Sequence, residues 1–127
     1  MLNLLALAAV NGLLAVGLGA FGAHGLRRRL ADAPDGPRRL EVWQLAASYQ
    51  LSHALAIGLA AFAQLELQSL WPVAAAWSFA LGNLLFSGSL YVLGVTGIKK
   101  LGAITPLGGL AYLAGWACLL GGALCAS

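Results

Sequence analysis

Four apolar stretches, separated only by short polar breaks, constrain this chain more than any other feature. They run from Leu2 to Ala23, Glu41 to Ala63, Pro72 to Gly94 and Ala103 to Cys125. Each holds about 22 residues, roughly 33 Å at helical rise, against a bilayer hydrocarbon core of about 30 Å. At that depth no water is available to backbone N–H and C=O groups, so each segment must satisfy its own, as a helix does. The stretches lack period-2 alternation, and their Ala, Leu and Gly content suits helices packed in lipid. The expected fold is all-α: an integral membrane four-helix bundle running up-down-up-down, one transmembrane domain over residues 1–127, with both termini non-cytoplasmic.

Composition and charge support this. Hydrophobic residues make up 61% of the 127 and charged ones only 9%, too little polar surface for a water-soluble domain. The Lys and Arg residues fall in two segments, Arg27–Arg29 with Arg38 and Arg39, and Lys99–Lys100, while the intervening loop "QLELQSL" has none. Cytoplasmic loops collect such residues, so the basic side, including the loop 24–40, is expected in the cytoplasm of a multi-pass inner membrane protein. The net charge of +3 is therefore a topology signal. No basic face carries interleaved aromatics, which argues against a nucleic-acid partner. The first segment is expected to be a retained span and not a cleaved leader, because no Lys or Arg precedes it and three arginines follow it directly. The short uncharged stretch Met1 to Asn3 is easily translocated.

The segment ends carry local signals. Trp71-Pro72 sets an interfacial aromatic before a proline suited to a first helical turn, and Thr105-Pro106 reads as an N-cap hydroxyl with proline at N1. "DAPDGPRR", Asp32 to Arg39, is a turn, and "GLRRRLADA" before it can form one or two amphipathic turns in the headgroup layer. His24 is expected at the cytoplasmic end of the first helix, where the helix dipole favours a cation.

Polar residues inside the spans form a layer. Asn11, His53 and Asn83 lie near the middle of the first, second and third segments, and Tyr49, Gln50 and Ser87 follow one turn nearer the basic side on the same faces. Lipid offers them no partners, so they face inward, either as interhelical glue or as an intramembrane polar pocket. Asn11 and Asn83 read as glue and His53 as a ligand-facing group. Small residues recurring every four positions, Ala8-Gly12, Ala15-Gly19-Ala23 and Ala114-Cys118-Gly122-Ala126, let helices approach closely. Cys118 and Cys125 lie two turns apart on one helix, too far to bridge, and read as packing residues with no metal role. A second candidate site is a lipid-headgroup site formed by His24, Arg27, Arg28, Arg29, Lys99, Lys100 and Thr105, where basic side chains meet the N–H groups opening the fourth helix.

Four ordered motifs, "GAFGAHGL" at Gly19 to Leu26, "YQLSHALA" at Tyr49 to Ala56, "LFSGSLYVLGVTG" at Leu85 to Gly97 and "ITPLGGLAYLAGW" at Ile104 to Trp116, give the chain a resemblance to a known family. It resembles the small integral membrane proteins of the domain of unknown function 423 family, the YgdD- and YwdK-like proteins of bacteria, with transmembrane protein 256 as the animal relative. The likeness spans essentially the whole chain and is weakest in the hydrophilic insert before the second helix. It implies a four-helix inner or plasma membrane protein and no activity. Within its motifs lie His24, Tyr49, His53, Ser87, Gly88, Ser89, Tyr91, Thr105, Pro106 and Gly109.

The function expected is that of a non-enzymatic bundle binding membrane lipid, through anionic headgroups on the cytoplasmic side, or a partner membrane protein. Its glycine-rich faces would also serve a homo-oligomer. The alternative is a small-solute transporter or channel subunit working as an oligomer. No carboxylate sits deep in any span, as a proton-coupled antiporter would need, and no nucleophile, metal-ligand or base constellation of an enzyme is present. No cofactor is expected.

Overall fold

The computed structural model describes residues 2–127, so the predicted translocated N-terminus is seen only from Leu2. Four continuous spans emerge. The first joins α1 (Leu2–Phe21), a π turn (Gly22–Leu26) and α2 (Arg27–Arg29). The second is α3 (Gly36–Leu67) alone, and the third joins α4 (Leu70–Gly82), a π turn (Asn83–Ser87) and α5 (Gly88–Thr96). A 3₁₀ turn (Lys99–Ala103) leads into α6 (Thr105–Ala126), the fourth. No strand occurs among the described residues.

Several boundaries differ from those expected. The first helix does not end at His24; the wider π turn carries it on through Arg29, so His24 is an exposed mid-helix residue away from the helix dipole's end. The second helix starts at Gly36, with Pro37 in its first turn, and not at Glu41, which reduces the basic loop 24–40 to a short turn. Thr105 does not cap α6. Ile104 holds that position, and the Thr105 hydroxyl lies 2.7 Å from that of Ser89. Helices longer than the hydrocarbon core extend into the headgroup layer, so their polar ends lie beyond the apolar stretches of the sequence.

The bundle is open. The second and third spans form its centre, the first packs on the second, the fourth on the third, and the first and fourth are not packed on each other. Large apolar side chains such as Leu13 and Leu70 point outward, where lipid takes the place of a protein neighbour. Without a hydrophobic driving force between helices in lipid, close approach through small residues matters most. The stripe expected on the first span does this work from Ala8 to Gly19, while Ala23 at its end is exposed: a Cβ on Gly12 would touch that of Ala54 at 3.9 Å and one on Gly19 that of Ala47 at 3.7 Å.

On the fourth span the expected stripe is mostly wrong. Ala114 and Ala126 are exposed; of that set only Gly122 is buried. The buried glycines are Gly108, Gly115 and Gly122, one heptad apart, each seated on the third span against Phe86, Phe79 and Trp71 respectively. A heptad, and not a four-residue step, keeps one face of a helix turned to an antiparallel neighbour as the pair supercoils.

At the basic end, Arg39 ties the second span to the third. Its Nε donates to the Gly94 carbonyl at 2.9 Å, its guanidinium also bonds the Val95 carbonyl, and it pairs with Asp35 at 3.5 Å. These carbonyls belong to the last turn of α5, which has no helical donors left for them, and a cation there also suits the helix dipole. Gly97 then reverses the chain at φ +74°, in the left-handed region that favours glycine. This contact places the first and third loops at the same end, so all the basic residues gather there.

Candidate functional site

The midplane residues are joined by hydrogen bonds centred on Asn83, which is only 4% exposed. Its Nδ2 donates to Asn11 Oδ1 at 2.9 Å and to the Gln50 carbonyl at 3.4 Å, and its Oδ1 accepts from the Tyr112 hydroxyl at 2.7 Å. One amide thus links all four spans. Asn11 in turn donates to the Leu7 carbonyl one turn back.

Ser87, fully buried, closes the other end of the π turn. Its hydroxyl donates to the Ala46 carbonyl at 2.7 Å and lies 3.4 Å from the Tyr112 hydroxyl. The Gln50 side chain accepts from the Tyr91 hydroxyl at 2.7 Å. Asn11, Gln50, Asn83 and Ser87 therefore bond to protein, as buried polar groups in lipid must.

His53 is placed differently. Its Nδ1 lies 2.9 Å from the Tyr49 carbonyl, which can only accept, so Nδ1 carries the proton. Nε2 is then an acceptor, and it receives the Trp116 indole N–H at 3.2 Å. The ring stacks on Tyr112 with centroids 3.6 Å apart and meets Phe79 at 5.5 Å. Both ring nitrogens thus have protein partners, and the Tyr112 ring covers one face. Tyr49, expected to continue the polar face, is 41% exposed and packs its ring on Phe86, so its hydroxyl is not joined to the Asn83 group.

The basic end holds two grooves. One of about 590 Å³ is lined by Gly22, Arg27, Leu30, Pro37, Leu40 and Glu41 among others, between the first and second spans. The second, of about 620 Å³, is bounded by Asp35, Arg38, Arg39 and Val42 of the second span and its approach, Leu90, Leu93 and Gly97 of the third, and Lys99, Gly102 and Thr105 leading into the fourth. The single headgroup site expected from the sequence is divided between them: Arg27 lines the first groove, Lys99 and Thr105 the second. His24, Arg28, Arg29 and Lys100 are exposed outside both linings, with the Arg29 guanidinium 5.8 Å from the Phe21 ring centroid. The N–H groups expected to cradle phosphate are partly used, since Leu107 N–H already donates to the Ile104 carbonyl.

Several residues central to this arrangement carry no site signal in the motifs or the charge pattern. Tyr112 sits at midplane depth in the fourth segment, and a depth count that admitted tyrosine hydroxyls would have found it. In the sequence Arg38 and Arg39 are two adjacent topology charges, and nothing in their spacing marks one as bonded to helix carbonyls and the other as free. Trp116 and Trp43 each donate an indole N–H, the latter to the Leu18 carbonyl at 2.6 Å, a long-range pairing with no local signature. Cys118 and Cys125 are free, and among the described residues no group of His, Cys, Asp and Glu is placed to hold a metal ion.

A family model described as "Protein of unknown function (DUF423)" matches residues 18–109. The chain is 48% identical over 99 residues to the UPF0382 membrane protein YwdK of Bacillus subtilis, covering 77% of this chain and 76% of that one. It is 41% identical over 100 residues to a UPF0382 membrane protein of Staphylococcus aureus, covering 77% and 75%. A UPF0382 membrane protein of Schizosaccharomyces pombe is 39% identical over 88 residues, covering 68% and 67%. No solved structure matches the chain.

Proposed function

The chain belongs to the DUF423 family of membrane proteins, whose function is unknown, and from that membership we propose that it is a non-enzymatic bundle of the cell membrane that binds anionic lipid at its basic end. The observation that carries this reading is a contrast within the molecule. The polar side chains at midplane are bonded to one another, whereas the two grooves of about 600 Å³ lie at the end where all the Lys and Arg collect, and the grooves by Gly19 and Trp71 are about half that size. A juxtamembrane cation attracts an anionic leaflet by about 1 kcal/mol, and several together hold headgroups in place. The basic end faces the cytoplasm, because basic loops are retained there.

Native mass spectrometry of the purified protein tests the binding. The protein should retain phosphatidylglycerol-type lipid, and replacing Arg27, Arg28, Arg29, Lys99 and Lys100 by Gln should weaken its retention and reduce its salt dependence; unchanged retention would dismiss the reading. For orientation, a cysteine replacing Glu66 should label with a membrane-impermeant reagent on intact cells while one replacing Asp35 should not. Labelling of the latter would invert the topology.

A further inference from the structure

We propose that the groove between the second, third and fourth spans docks one anionic phospholipid, with its phosphate held by Arg38 and Lys99 and an acyl chain lying along Val42, Leu90 and Leu93. The proposal rests on the lipid-binding reading and narrows it to one place. The distribution of charge selects this groove over its neighbour. In the groove beside the first span, Arg27 shares the lining with Glu41, so a cation and a carboxylate offset each other. In the second groove the one carboxylate, Asp35, pairs with Arg39, and Arg39 is further committed to the Gly94 and Val95 carbonyls. Arg38 and Lys99 are both exposed and have no carboxylate partner among the described residues. Two free cations therefore face a cavity of about 620 Å³, within the size range of small-molecule sites.

The lining also has the polarity order of a phospholipid. Its cations stand where α3 begins and where the chain leaves α5, at the headgroup level, and the side chains nearer the bundle interior, Val42, Leu90 and Leu93, are apolar. Gly97 and Gly102 keep bulk off the rim, and the α5 carbonyls that would repel a phosphate are covered by Arg39. Arg38 offers a planar fork suited to phosphate oxygens, and Lys99 a point charge.

The test is a titration of the full chain in neutral detergent with phosphatidylglycerol, read by native mass spectrometry, alongside phosphatidylcholine and inorganic phosphate. Two variants of equal charge loss are compared: Arg38→Gln with Lys99→Gln, and Arg27→Gln with Arg28→Gln. Neither Arg38 nor Lys99 makes a side-chain bond among the described residues, so thermal unfolding should match wild type. The first variant should weaken the tightest phosphatidylglycerol binding roughly tenfold or more, and the second less than about twofold. Equal weakening by both variants would overturn the groove while leaving lipid binding intact. Displacement of the lipid by inorganic phosphate at matching concentration would identify a free-phosphate site and overturn the lipid as occupant. A wild-type protein that does not prefer phosphatidylglycerol to phosphatidylcholine would remove the lipid-binding reading itself.

Discussion

Gly108→Ala should detach the fourth span from the third, whereas Gly109→Ala, one residue along, should be nearly silent. A Cβ on Gly108 would fall on the backbone of Phe86, which cannot rotate out of the way as a flexible side chain could. A Cβ on Gly109 meets nothing within 4 Å and replaces a poor helix former with the best one. Overpacking of a tight contact costs about 1 to 3 kcal/mol, and a backbone obstacle belongs at the upper end, so roughly 3 kcal/mol is expected for Gly108 and less than about 0.5 for Gly109. The contact also lies at the Asn83–Ser87 π turn, so the Tyr112 hydroxyl would be pulled from Asn83 and Ser87 together. Unfolding by denaturing detergent in mixed micelles measures both variants. Similar stabilities would show that the helices are not this close.

The second large effect should come from Asn83→Leu. The substitution removes the bonds to Asn11, the Gln50 carbonyl and Tyr112 at once, and it leaves the Tyr112 hydroxyl and the Asn11 amide with fewer partners in a dry interior. Each hydrogen bond between membrane helices contributes roughly 0.6 kcal/mol on average, but a stranded buried group costs about 1 to 3 kcal/mol. A loss of about 2 kcal/mol or more follows. Adding Tyr112→Phe to Asn83→Leu should cost less than Tyr112→Phe costs alone, because the hydroxyl it removes has already lost its main partner. Strict additivity in that double-mutant cycle would mean that the two side chains are not coupled. Asn83→Asp is expected to destabilise as well, since a carboxylate keeps the acceptor for Tyr112 but has no N–H for Asn11 and the Gln50 carbonyl.

Membrane depth and helix face can both be read from residue numbers once a segment is known to be helical. That is why Asn11 and Asn83, far apart in the chain, were assigned to one layer and indeed bond to each other. It is also why the four spans and the collection of basic residues at one end were legible, because hydropathy and charge act on each segment separately. The partner of a polar group is a different matter. The sequence places His53 in the polar layer but does not name the partners of its two nitrogens, Tyr49 and Trp116; the second of these depends on where the fourth span's indole falls, and no spacing in the second span contains it. The same holds for the fourth span's packing face, where a four-residue repeat of small side chains looked as suitable as the heptad of glycines that is used.

From sequence alone, then, came the spans, their alternation, the family motifs and the layer of polar residues, all consequences of transferring one segment at a time from water to lipid. The tertiary structure decided which faces meet, which arginine caps a helix and which stays free, where two π turns widen the spans, and how one expected basic site divides into two grooves. Those outcomes depend on helix–helix distances of a few ångströms, which in lipid are governed by shape and by hydrogen-bond partners and not by hydrophobicity. A lipid-facing Leu and a buried one look alike in sequence, because the solvent around this protein is as apolar as its core.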